Sequence, residues 1–257
     1  MDVIGFLSID NMSSQLAKRG SIYGWIEHHN YIVWHYNGPA IDQRRDWDAH
    51  IKWLADYHTN TVEWGWANGQ PIYGNGIMYH YVVLPDGRIV QTREKRGRSH
   101  DVRWHAGNVI ANEQGIAIHV PIGGSQEPSE AQTRSLFDLT SHLAVTYGIP
   151  ADRVTGHCEW SQNSCPGIPL MERLKAWKAS PPVVLLPNTM RYTIKIPSGA
   201  YMRVRPYTSS SLKEILKDQS VRVLGFGIGT NIKVPVWYIV ETESGVIGWI
   251  HHSGFSA

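Results

Sequence analysis

The chain has 257 residues, 42% of them hydrophobic, and a formal net charge of +2. That length suffices for one large core or two smaller ones, and so balanced a charge makes no general case for a nucleic-acid partner. Two cysteines exclude a disulfide-stapled scaffold, and no apolar run approaches the ~20 residues that span a bilayer, so a soluble protein without membrane insertion is expected.

The first stretch, MDVIGFLSIDNMSSQLAKRG, has no basic segment followed by a long apolar one. It therefore predicts no signal peptide and synthesis in the cytoplasm. Residues 1–25 show no pattern that assigns them an element. YIVWH (31–35) is β-branched and aromatic, a buried strand that ends on His35. RRDWDAHIKWLADYH places Trp47, Ile51 and Leu54 on one helical face. YHYVVLPDGRIVQT reads as two strands around Pro-Asp-Gly, and GIAIHV (115–120) as another strand. In PSEAQTRSLFDLTSHLAVTYGIP, Ser129 caps a helix, Gln132 is placed to complete a capping box, and Gly148 and Pro150 end it. PLMERLKAW (169–177) is a shorter last helix. Alternating strands and helices of this kind make an α/β domain.

KASPPVVLLPNTM (178–190) carries three prolines and no periodic pattern, so it reads as a linker. Beyond it AYMRVRPYTSS, SVRVLGFG, VWYIVET and VIGWIHH are short strands between turn residues, the pattern of a small all-β barrel. Charge changes at the same place. From Arg191 on, eight Lys/Arg against four Asp/Glu give +4, while the first 190 residues, with 16 against 18, give −2. The expected organisation is a domain over 1–178, a Pro-rich linker over 179–190 and a β domain over 191–257.

GHCEWSQNSCPG (156–167) contains both cysteines, Cys158 and Cys165, beside His157. Such a loop suits a disulfide, a thiol nucleophile with its base, or two ligands of a metal. His35, on a strand that holds its side chain rigidly, is the obvious third ligand. Two imidazoles and a thiolate leave one corner of a tetrahedral zinc site open to water, whose pKa the ion lowers to about 7. A core histidine and a small buried thiol are the plainer readings of His35 and Cys165.

YIVWHYNGP, MYHYVVLPDGRIVQTR, WHAGN, GIAIHV and GHCEWSQNSCPG, in that order, resemble the zinc N-acetylmuramoyl-L-alanine amidases, the superfamily of the peptidoglycan recognition proteins and many phage endolysins. The resemblance covers about residues 25–178. It implies a central mixed β-sheet flanked by helices, with one Zn²⁺ in an open groove held by His35, His157 and Cys165. It implies that Tyr79 is the active-site tyrosine and that His105 lines the cleft, where it reads either as a catalytic group that shuttles a proton or grips the glycan, or as a histidine that supports the site from behind. His119 reads as touching substrate or as standing behind the ligands, and Trp104 as facing substrate or as packing. Asn163 stands where relatives carry Lys or Thr, and His119 where other branches carry Glu or Cys. Both departures bear on rate and proton route more than on reaction class. An uncharged Asn163 still offers a hydrogen bond to a developing oxyanion.

The C-terminal part resembles a bacterial SH3 domain through YMRVRPYTSS and VWYIVETESGVIGWIHHSGF, which implies wall binding. The function so implied is hydrolysis of the amide between N-acetylmuramic acid and L-alanine. The partner is peptidoglycan, as substrate and anchor. The setting is a phage or prophage endolysin, stored in the host cytoplasm and acting on the wall. A recycling amidase, a cysteine–histidine hydrolase and a non-catalytic wall binder are the alternatives. In REKRGRSHDVRWH, residues Arg93, Lys95, Arg96, Arg98 and Arg103 read as a solvated basic loop, or as an attractor of stem-peptide carboxylates. Oligomeric state has no signature in the sequence.

Overall fold

A computed structural model describes residues 7–179, 184–185, 192–196, 200–203, 212–216, 219–228 and 236–251. They divide into two compact units, 1–136 with 155–174, and 137–154 with 175–257.

The first elements in chain order are β1 (Ile9–Asn11), β2 (Tyr31–Gly38), α1 (Trp47–Asp56), β3 (Glu63–Ala67), β4 (Gln70–Tyr73), β5 (Tyr81–Val83), β6 (Ile89–Gln91), β7 (Lys95–Arg96) and β8 (Ser99–His100). They are followed by α2 (Val109–Gln114), β9 (Gly115–Gly123), α3 (Glu130–Tyr147), β10 (Val154–Gly156) and α4 (Gly167–Ala179). Six strands form one sheet in the order β1-β6-β5-β9-β2-β10. β2 and β5 run parallel to β9, whereas β5 and β6 form the expected antiparallel hairpin. This is the mixed sheet with helices that the α/β reading requires. β9 is buried along its whole length, and Ile32, Val33 and Trp34 of β2 are fully buried. Strands covered on both faces read as unbroken apolar runs, which explains why neither alternates.

β2 continues three residues past His35, to Gly38. His35 therefore lies inside the strand, paired in register with His119 of β9. The helix over 47–56 buries Ile51 and Leu54 as its spacing predicts, with Val82, Leu84 and Val90 of the hairpin region in the same core cluster. Tyr79 packs half-buried against that cluster. At α3 the Ser129 hydroxyl accepts from the Gln132 N–H at 2.9 Å, but the reciprocal half of the capping box is absent. Gln132 instead donates its side-chain amide to the Val83 carbonyl at 2.8 Å. That bond turns the side chain toward the sheet, and the Gln132 Oε1 that would have accepted from the Ser129 N–H has no hydrogen-bond partner among the described residues. Gly148 ends the helix at φ +68°, and the Ile149 N–H reaches back to the Ala144 carbonyl.

The described residues beyond α4 form only strands: β11 (Val184–Leu185), β12 (Tyr192–Ile196), β13 (Tyr201–Arg203), β14 (Leu212–Ile215), β15 (Gln219–Ile228), β16 (Val236–Thr242) and β17 (Ile247–His251). They make one seven-stranded antiparallel sheet over a core that includes Met202, Val221, Trp237, Val240 and Ile250. The proposed linker lies largely outside the described residues, as does the PYTSS segment. No helix among the described residues is long and apolar enough to cross a membrane.

Candidate metal centre

β2 brings His35 up from the sheet, a short 3₁₀ turn over His157–Glu159 presents His157, and Cys165 ends the loop before α4. The three meet. One ligand atom of each lies within 4.8 Å of the others, and Cys165 Sγ is 3.7 Å from His35 Nδ1. Around a tetrahedral zinc, with bonds of about 2.1 Å to nitrogen and about 2.3 Å to sulfur, an N···S separation of about 3.6 Å follows from the angle alone. The donor set therefore fits that ion. Burial, followed by the neighbouring His105 and His157, holds His35 well below the ordinary imidazole range, and burial lowers His157 as well. Both rings are thus neutral near pH 7, with a lone pair to give.

Burial pushes the Cys165 thiol up to about 12, against the opposing pull of the Tyr36 N–H, which donates to Sγ at 3.4 Å. A nucleophilic cysteine needs the opposite environment, whereas a divalent cation deprotonates such a thiol directly. Cys158 is raised too, lies against Met171 Sδ at 3.9 Å, and forms no disulfide. These environments argue against both the thiol-nucleophile and the disulfide readings of the loop.

The other predicted site residues fall into three places. Tyr79 adjoins the cluster, with its ring centroid 5.1 Å from that of His35 and stacked on His119 at 4.4 Å and 12°. Burial first, and then a negative charge on Cys165, raise its pKa, so the phenol keeps its proton. His119 is buried beneath Tyr79, and neither of its ring nitrogens has a hydrogen-bond partner among the described residues. His105 is buried as well, with Nδ1 at 3.0 Å from His35 Nε2 and Nε2 at 3.1 Å from the Ala111 carbonyl.

Asn163, although exposed, is engaged within its own loop. Its amide donates to the Ser161 hydroxyl at 2.6 Å, and its oxygen accepts from the Cys165 N–H at 2.8 Å. It shapes the turn that carries the cysteine. Trp104, 47% exposed and stacked on Tyr23, lines a separate groove of about 540 Å³ with Glu27, His28 and Glu113.

Two residues of the supposed basic loop behave otherwise than expected. Arg93 and Arg103 are buried, and both pair with the buried carboxylate of Asp101. Only Lys95, Arg96 and Arg98 are exposed. The sequence shows a run of cations, but only the fold reveals that an acid within the run is shared by two of them.

Buried neutral histidines make this unit acid-sensitive. Burial lowers His58 to about 4 and His80 to about 3. A histidine depressed in the folded state contributes stability above its unfolded value near 6.5, and that stability is lost as pH falls toward the folded value. Thermal unfolding followed from pH 7 to pH 5 is expected to show a falling midpoint. Each of these histidines costs roughly 1–2 kcal/mol over that interval. A flat profile would contradict their burial.

Residues 27–168, more than half of the chain, match the family model described as N-acetylmuramoyl-L-alanine amidase. No curated protein sequence matches the chain. Among solved structures, Drosophila PGRP-LB is similar with a TM-score of 0.51 at 19% identity, covering 66% of this chain and 94% of that one. Bumblebee PGRP-SA gives 0.50 at 19%, covering 66% and 95%. Peptidoglycan recognition protein LE, solved in complex with tracheal cytotoxin, a monomeric diaminopimelic acid-type peptidoglycan, gives 0.50 at 21%, covering 66% and 93%. At these identities the likeness is one of fold.

Proposed function

Since this chain belongs to the N-acetylmuramoyl-L-alanine amidase family, we propose that it hydrolyses the amide joining the lactyl group of N-acetylmuramic acid to L-alanine in peptidoglycan, with zinc held by His35, His157 and Cys165. The observation that carries this reading is the convergence of those three donors within 4.8 Å of one another, with the His35–Cys165 pair at the separation a tetrahedral zinc gives. Zinc bound there supplies a Lewis acid and an activated water.

The chain's own residues do the rest. His35 and His157 offer neutral nitrogens, and Cys165 gives up its proton to become the anionic ligand. Tyr79, kept protonated, donates its hydroxyl hydrogen to the carbonyl oxygen as charge develops on it. The low-polarity surroundings that raise the phenol's pKa also strengthen that hydrogen bond. Tyr79 rests on His119, so the histidine positions the phenol from below. That a protein of the same fold was solved with a peptidoglycan fragment supports the substrate class.

Residues 191–257 are proposed as an SH3-like wall-binding domain. Its antiparallel β architecture and +4 charge suit a polyanionic wall. Together the two parts support an endolysin role, made in the bacterial cytoplasm and acting on the wall.

Mass spectrometry of digested sacculi tests the reaction. The expected products are new L-alanine amino termini without new reducing sugar ends, abolished by a chelator and restored by zinc. Reducing ends would identify a glycosidase, activity indifferent to chelation would remove the metal, and wall binding without solubilisation would leave a recognition protein.

A further inference from the structure

His105 sits between a ligand histidine and a backbone carbonyl, and the direction of its two hydrogen bonds is determined by chemistry. The Ala111 carbonyl can only accept, so His105 Nε2, 3.1 Å away, carries the ring proton. The neutral ring then has a bare Nδ1, which can only accept. His35 Nε2 lies 3.0 Å from it and must donate. That leaves the proton of His35 on Nε2 and its lone pair on Nδ1, the atom 3.7 Å from Cys165 Sγ. The hydrogen-bond chain from Ala111 through His105 thus ends on His35 Nε2 and leaves the lone pair of the opposite nitrogen, Nδ1, facing the metal site.

The surroundings fix this chain in place. Asn108 caps α2 by accepting from the Ile110 and Ala111 N–H groups, at 3.0 and 3.3 Å. Asn112 accepts from the Ala106 N–H at 2.9 Å and ties the loop to the same helix. Gly115 leaves the space that this requires, since a Cβ there would stand 2.3 Å from the Ala111 oxygen and 3.4 Å from His105 Nε2.

We propose that His105 is a positioning residue, which sets the tautomer and ring orientation of His35 for metal binding and does not itself touch substrate. The proposal rests on the metal reading above. It selects the supporting reading of His105 over a direct part in the chemistry, and it makes the WHAG loop part of the metal centre. Partners of this kind typically change metal affinity 10- to 100-fold when they are lost.

The test compares zinc affinity, by competition with a chromophoric chelator, in the full-length wild type, His105→Leu and His105→Gln. A glutamine amide has both an acceptor for His35 and a donor for Ala111, whereas leucine has neither. The leucine variant is expected to bind zinc about 10- to 100-fold more weakly, with the glutamine variant closer to wild type than to leucine.

Ring ¹⁵N spectra of the zinc-loaded wild-type chain supply a reading that needs no variant. They are expected to show His105 protonated at Nε2 alone, and His35 protonated at Nε2. A proton on His105 Nδ1, or leucine and wild-type chains of equal affinity, would overturn the proposal while leaving the amidase reading intact. A wild-type chain that takes up no zinc would overturn both.

Discussion

Asp101→Ala is expected to lower the stability of the protein by about 3–5 kcal/mol, the cost of leaving buried charge without its partner. Asp101, Arg103 and Arg93 are almost wholly removed from solvent, at 0%, 0% and 2% exposure. One carboxylate oxygen serves both guanidinium groups: Arg93 Nη2 donates to it at 2.8 Å, and Arg103 Nη2 donates to it as well. Arg103 also donates to the Asn75 amide oxygen and lies over the Tyr23 ring at 5.5 Å. Burial, with Arg93 adding to it, lowers Arg103 to about 10 even with the carboxylate present. Two cations already share one anion, so removing it leaves the pair with no compensating charge.

Arg93 is packed directly against the backbone of Gly76, where an added Cβ would stand 2.0 Å from its Nη1, so it has no room to move in that direction. Urea denaturation measures the loss, and Asp101→Asn separates charge from hydrogen bonding. The asparagine variant should fall between wild type and alanine. A loss below about 1 kcal/mol for alanine, the size of an exposed pair, would show that these charges reach solvent.

Tyr79→Phe is the second large effect expected, here on rate. The variant should retain zinc while losing roughly 10²- to 10³-fold in kcat, the usual consequence of removing one oxyanion donor. The ring stays in place because its contacts are made by the face, which stacks on His119 and packs beside His35. Only the hydroxyl is lost. Zinc content and kcat measured on the same preparation decide the matter. Activity within about twofold of wild type would take the tyrosine out of the reaction, and loss of zinc would make it a structural neighbour of the site.

Much of the fold is legible because local pattern and burial agree. The spacing of Trp47, Ile51 and Leu54 marks α1, Pro-Asp-Gly marks the turn between β5 and β6, and Ser129 and Gly148 bracket α3. Each of these is set by dihedral preference or by the period of one apolar face, and neighbouring residues suffice to specify it. The metal triad is legible in part. The loop holding His157 and Cys165 is short enough to suggest a shared target, whereas His35 lies 122 positions before His157, and motif order places it there better than spacing does.

Side-chain partners depend on what lies across the fold. Gln132 has the right spacing for a capping box, but the Val83 carbonyl is close and buried, so the amide turns to it. Asn163 donates within its loop, and His105 bridges Ala111 and His35. Arg93 and Arg103 sit in a basic run that reads as solvated surface, yet both turn inward to Asp101.

By itself the amino-acid order determined β2, α1, the β5–β6 hairpin, β9 and α3 and the kinds of ligand on offer, because backbone preference and donor chemistry belong to each residue, while the reaction class rested on a resemblance in motif order and short elements such as β1, β3, β4 and α2 left no pattern to read. Tertiary structure alone decided which nitrogen of His35 faces the cysteine, what steadies it, and which cations are buried. A hydrogen bond or an ion pair is a relation between two places in space, and the separation of two residues along the chain does not fix the distance between them: His35 and His105, 70 residues apart, meet at 3.0 Å.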